Sequence, residues 1–179
     1  MEQTTAEPIS IRLRRDNCED QILMRPLVSG LYEVLETPLL YGRVGRKDIV
    51  RLRPLGDGAY RVARVIQRPF QHWCWMIPGE YGYSQSIHEF YRWLEARGGE
   101  WESAMGGLLF VHLPQGDGTV DEVLAELNAR IEVFRQGDER KRILEAGPPG
   151  MNPEQWKQMR NQGRKTPSLL ARLAKLWGR

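Results

Sequence analysis

Apolar and polar residues alternate one for one through much of the first part of the chain. In "ISIRLR", Ile9 to Arg14, isoleucine and leucine occupy every second position with Ser and Arg between them. Side chains on a strand point to opposite faces in turn, so this pattern predicts a half-buried strand. The β-leaning runs "QILMRPL" and "GLYEVLE" follow, joined through "VSG". Next, "KDIVRLRPL" and "AYRVARVIQR" flank "GDG" at Gly56–Gly58, a hairpin signal because glycine accepts the positive φ of tight turns. Pro54 has no ladder donor and so belongs at an edge or at a strand end. The segment from about residue 9 to 70 is expected to form a small, strongly twisted antiparallel β-barrel-like sheet.

The period then changes. "HWCWMIP" reads as a strand. In "SQSIHEFYRWLEARGG", Ile87, Phe90, Tyr91 and Leu94 recur at i, i+3, i+4 and i+7, which predicts a helix with one buried face. Ser86 with Glu89 is the expected capping box, and Gly98–Gly99 the stop. "EWESAMGGLLFVHLP" supplies strand with a turn or bulge at Gly106–Gly107. A second helix is expected in "TVDEVLAELNARIEVF", capped by Thr119 and Glu122, with Val120, Val123, Leu124, Leu127 and Ile131 as its buried stripe. The order β-α-β-β-α over about residues 71–135 predicts a ferredoxin-like unit, and the fold class is α+β.

Beyond Gln136 comes a charged helical piece, then "GPPG" at Gly147–Gly150, which no regular element can cross. The expected α+β domain therefore spans 1–145. Residues 146–179 are expected to be a Gly/Pro linker and a basic amphipathic helical tail. In "TPSLLARLAKLWGR", Thr166 can cap and Pro167 suits the first helical position. Leu169, Leu170, Leu173, Leu176 and Trp177 would line one side, with Arg172 and Lys175 away from its centre.

Charge sharpens this picture. The chain carries a formal +3, but residues 151–179 hold seven Lys/Arg against Glu154 alone, which leaves the first 150 residues at −3. Within them, Pro38 to Arg68 is locally basic, with eight Arg/Lys against two Asp. Arg51 and Arg53 share one strand face there. A polyanion could be held by Arg51, Arg53 and Arg61, together with Lys157, Arg160, Arg164, Lys165, Arg172 and Lys175 from the tail. Tyr41, Tyr60, Phe70, Trp73 and Trp75 could then stack on bases. Against this stands a simpler account, a solvated sheet face with the aromatics in the core. The acidic body favours that account, so the sheet is read as scaffold.

Chemistry is sparse. The chain has 2 cysteines, Cys18 and Cys74, too few for a disulfide framework or a four-cysteine zinc site, and unpaired thiols are expected. His72 and Cys74 lie two apart on one strand and point the same way, but two ligands do not make a metal site. Pairing Cys74 with His88 or His112 as base needs a convergence that sequence cannot supply. Glu100 and Glu102 alternate on a strand with nothing to mark either as desolvated. The "GDG" segments match no phosphate-loop pattern and read as turns. No catalytic residue, metal or cofactor is expected. "MEQTTAEPIS" has no secretory-signal character, and the run Met105–Leu113 is far short of the ~20 residues a spanning helix needs. A cytoplasmic location is expected.

The core from about Leu23 to Glu132 resembles the bacterial domain-of-unknown-function family 4265. The residues that carry the resemblance are "LMRPLVSGLYEVLETPLLYGRVGRKDIVRLRPLGDGAYRVARVIQR", a helix ending in "EARGGEWE", and "GGLLFVHLPQGDGTVDEVLAELNA". "ETPLLYG" replaces the family's "NxPxxA", "GRKDIV" separates a Gly and Asp that the family sets together, and "VHLP" fits its later hydrophobic step. The resemblance implies a fold and a bacterial origin, and brings no activity or catalytic residue. The function expected is a non-enzymatic protein-binding module (an inhibitor, an immunity-type protein or an accessory subunit of a bacterial complex) that engages a protein partner through the tail helix. The alternative is a nucleic-acid-associated protein using the basic sheet residues and the tail.

Overall fold

The computed structural model describes residues 6–16, 18–39, 44–104, 107–148 and 150–164. The chain is α+β and divides into two compact units, Met1–His72 and Trp73–Arg179.

The first unit holds β1 (Ile9–Arg15), β2 (Cys18–Pro26), β3 (Leu31–Val34), β4 (Ile49–Pro54) and β5 (Tyr60–Gln67). They form a closed barrel in sequence order. Each consecutive pair is antiparallel. Five strands make four reversals, an even number, so β1 and β5 run the same way and the seam between them has to be parallel. It is made at one position, Leu13 opposite Tyr60. Closure removes the exposed edges that an open sheet of this size would present. The alternation seen in the sequence places Ile11, Leu13, Ile22, Met24, Val34 and Val50 inside, with Val44 from the loop before β4. Pro54 is the last residue of its strand, where a missing donor costs least. The "GDG" turn has both glycines at positive φ, 93° at Gly56 and 77° at Gly58.

β6 (Phe70–Met76) runs from the end of the first unit into the second. There it joins a three-stranded sheet of order β6-β8-β7, with β7 at Glu100–Ala104 and β8 at Leu108–Pro114. β7 and β8 are antiparallel, and the Ile77 amide donates to the Gly107 carbonyl where the end of β6 meets the start of β8. As the central strand, β8 is buried from Leu108 to Leu113, which explains its nearly unbroken apolar run. Helix α1 (Gln85–Glu95) connects β6 to β7, and α2 (Val120–Gln136), α3 (Asp138–Ala146) and α4 (Pro153–Arg164) follow β8. Ile87, Phe90, Tyr91 and Leu94 of α1 share one core with Leu109, Val111 and Leu113 of β8 and Val123, Leu127, Ile131 and Phe134 of α2.

Three expectations need correction. The cap of α1 is Ser84, whose hydroxyl accepts from the Ile87 amide at 3.1 Å; Ser86 is buried inside the helix. The Thr119–Glu122 box does cap α2, but its stripe is rotated: Val120 is 41% exposed, Leu124 is half-buried, and Phe134 takes part instead. Packing also continues past Gly147–Gly150, because Trp156 of α4 is buried in the second unit's core with Met151 against it. The expected tail helix, with Leu169, Leu170, Leu173, Leu176 and Trp177, lies outside the described residues. No helix among the described residues is long and apolar enough to cross a membrane.

Candidate functional site

Two pairs of arginines face each other across β4 and β5: Arg51 opposite Arg64, and Arg53 opposite Arg61. Arg51 and Arg53 share an outward face because they are two apart on β4, with Val50 and Leu52 turned the other way. Arg61 and Arg64 are three apart and would point to opposite faces of a regular strand. They share one because the register steps from Arg51↔Arg64 to Leu52↔Val62, which leaves Ala63 as an extra residue. Such a bulge re-aims the side chains on one side of it. All four arginines are exposed, and none of their side chains has a hydrogen-bond or ion-pair partner among the described residues.

Other cations of the barrel are matched. Arg14 donates to Glu19 at 2.9 and 2.6 Å and pairs with Asp57. Arg12 donates to the Asp57 carbonyl at 2.6 Å and lies 3.4 Å from Glu19. Arg25 meets Glu33 at 2.7 Å. The hydrogen bond from Arg14, with that of the Ala59 amide, holds the Asp57 carboxyl below its usual range. The contrast isolates the quartet as charge with no internal use.

A second polar cluster lies around Asp48, whose side chain is fully buried. One carboxylate oxygen accepts from the Gly45 amide at 3.1 Å and from Arg68 at 2.9 Å; the other is 3.1 Å from Nε2 of His72. Burial pushes this carboxyl up, but the bonds from His72, Arg68 and Gly45 together outweigh it, and the group sits below its ordinary value. Asp48 thereby ties the loop before β4 to the chain following β5.

The other chemical candidates do not assemble. Burial pushes the Cys74 thiol up to about 11, the wrong direction for a nucleophile. His72 is engaged by Asp48. His88 packs edge-on against Tyr91, and His112 is buried with Nε2 3.3 Å from Glu102. Among the described residues no group of three or more His, Cys, Asp or Glu could hold a metal ion. A recess of about 160 Å³ lined by Ile77, Tyr83, Ser103 and Leu108 is smaller than pockets that enclose small molecules.

Of the basic residues singled out from sequence, Arg51, Arg53 and Arg61 come together. Lys157 instead pairs with Glu154 on α4 at 2.8 Å. Arg160 and Arg164 fall on α4 in sequence, and Lys165, Arg172 and Lys175 lie outside the described residues. Arg64 was missed because only the bulge brings it round. The expected stacking aromatics are used otherwise. Tyr60 packs against the barrel core, and Trp73 and Trp75 against the second core. Phe70 is buried under the Lys47 ammonium, 4.9 Å above its ring. Tyr41 lies outside the described residues.

The architecture defines an α+β protein that joins a closed five-stranded meander barrel to a helix-bearing three-stranded sheet. No family model matches the chain, and no curated protein is similar to it. A solved structure, described as a novel crystal structure of a hypothetical protein from Neisseria gonorrhoeae, is similar in fold. The likeness has a TM-score of 0.51 and 14% sequence identity, and covers 74% of this chain and 91% of that one.

Proposed function

We propose that this chain is a non-enzymatic binding protein whose barrel holds the phosphate backbone of nucleic acid. The observation that carries the reading is the arginine quartet on β4 and β5, unmatched by any carboxylate among the described residues. Like charges set directly opposite on a sheet are destabilising. The fold gains nothing from these two pairs, whereas an anionic partner would convert them into charge-assisted hydrogen bonds. Binding of the full chain to labelled nucleic acid should weaken linearly in log–log form with salt, by about 0.9 per phosphate neutralised on a duplex. Replacing all four arginines by glutamine should flatten that slope. An unchanged slope and affinity would remove the reading.

A protein partner held by Leu169, Leu170, Leu173, Leu176 and Trp177 is supported by the spacing of those residues alone. It is read by comparing the full chain with one ending at Arg164, which keeps the buried Trp156. The same proposal takes the second unit as ferredoxin-like: the order β6-β8-β7, with β8 between the strands that α1 connects, suits that motif without its fourth strand. The resemblance to family 4265 supports a bacterial origin, and the sequence character of the N-terminus supports a cytoplasmic setting, where nucleic acid is at hand.

A further inference from the structure

We infer that the quartet binds double-stranded nucleic acid through its backbone alone, without regard to sequence. This rests on the reading above and narrows it. The roots of the four side chains stand about 5 Å apart across the strands and about 7 Å apart along them. They therefore form a compact rectangle that can meet neighbouring phosphates.

Among the described residues no surface for stacking bases accompanies them. In the barrel the exposed large hydrophobics among the described residues are aliphatic, namely Ile9, Val28, Leu55 and Ile66, and Tyr32 and Tyr60 pack against the core. Arg51 has Leu31 of β3 as its neighbour on the other side. Single-strand binders offset the ordering of a flexible chain by stacking its bases on aromatic rings. This face has no such ring to offer among the described residues. A duplex is already ordered and carries one charge per about 1.7 Å of axis, so a patch of unpaired cations favours it. Contacts to phosphate position a protein but carry no base sequence.

The test is fluorescence anisotropy of the full chain at about 100 mM salt. The probes are two duplexes of about 20 base pairs and different base composition, and the single strand of each. The expected result is binding at least about threefold tighter to each duplex than to its own strand, and equal within about threefold for the two duplexes. The Arg51→Gln/Arg53→Gln/Arg61→Gln/Arg64→Gln protein should lose the duplex affinity while its thermal midpoint stays level or rises. Arg25→Gln, which removes a matched cation, should leave affinity unchanged. A single strand bound as tightly as its duplex, or a preference between duplexes beyond that margin, overturns the inference and leaves the broader reading standing. Failure of every probe to bind overturns both.

Discussion

The His72 ring leaves no room for a side chain at Gly45: a Cβ built there would lie 2.4 Å from its Cγ. The close approach is what lets the Gly45 amide and the His72 imidazole both reach Asp48. Gly45→Ala is therefore expected to destabilise the protein by about 1–3 kcal/mol, the usual cost of overpacking. In a double-mutant cycle with His72→Ala, measured by urea denaturation, the two effects should be coupled and not additive.

Asp48 also sets a pH response. Its carboxyl sits below its ordinary range in the folded chain, so ionisation favours the native state. That stabilisation is complete above the unfolded value of about 3.9 and is lost as pH falls through the folded value. The thermal midpoint should drop below about pH 4, and Asp48→Asn should shrink that drop. Near neutral pH the same substitution should cost about 2–4 kcal/mol, less than a fully enclosed pair would because the Arg68 side chain is 41% exposed.

Arg64→Glu places a carboxylate opposite Arg51. Replacing a like-charge pair by an opposite one across a sheet should raise stability by about 0.5–1 kcal/mol, read as a higher denaturation midpoint. Affinity for phosphate backbone should fall in the same variant. Stability and binding moving in opposite directions is the signature of cations kept for a ligand.

Trp156 is 5% exposed, and its ring meets Tyr83 edge-on at 5.5 Å. Trp156→Ala should cost about 3–5 kcal/mol. A chain cut at Gly150 should lose comparable stability by calorimetry, since α4 completes the core.

With its thiol near 11, Cys74 should be alkylated at about pH 8 roughly a hundredfold more slowly in the native protein than in urea, followed by mass spectrometry.

Much of the architecture was legible in the sequence for local reasons. Strict alternation announced β1, β4 and β5, glycines at positive φ announced the β4–β5 turn, and the Thr119–Glu122 box announced α2. What could not be read were effects of pairing. Ala63 looks like any strand residue, and only its mismatch with β4 shows that Arg61 and Arg64 share a face. The stripe of α2 drifts from Val120 to Phe134 because a helix turns past an ideal repeat, and the partner surface decides which residues it keeps. "GPPG" does break regular structure, but a break in the backbone does not end a core, and Trp156 crosses it. The unpaired thiols were deducible from their number; the Asp48 cluster was not, since its members come from positions 45 to 72.

The single parallel position that closes the barrel, Leu13 with Tyr60, is bridged on the outside by charge, because Arg12 and Arg14 of β1 both reach Asp57 in the β4–β5 turn. The seam is thus an electrostatic latch. Salt is therefore expected to act on this molecule twice, weakening the proposed hold on phosphate at one face and slackening the closure at another. The two can be told apart without any ligand, because a slackened seam shows as faster amide exchange in β1 and β5 as ionic strength rises.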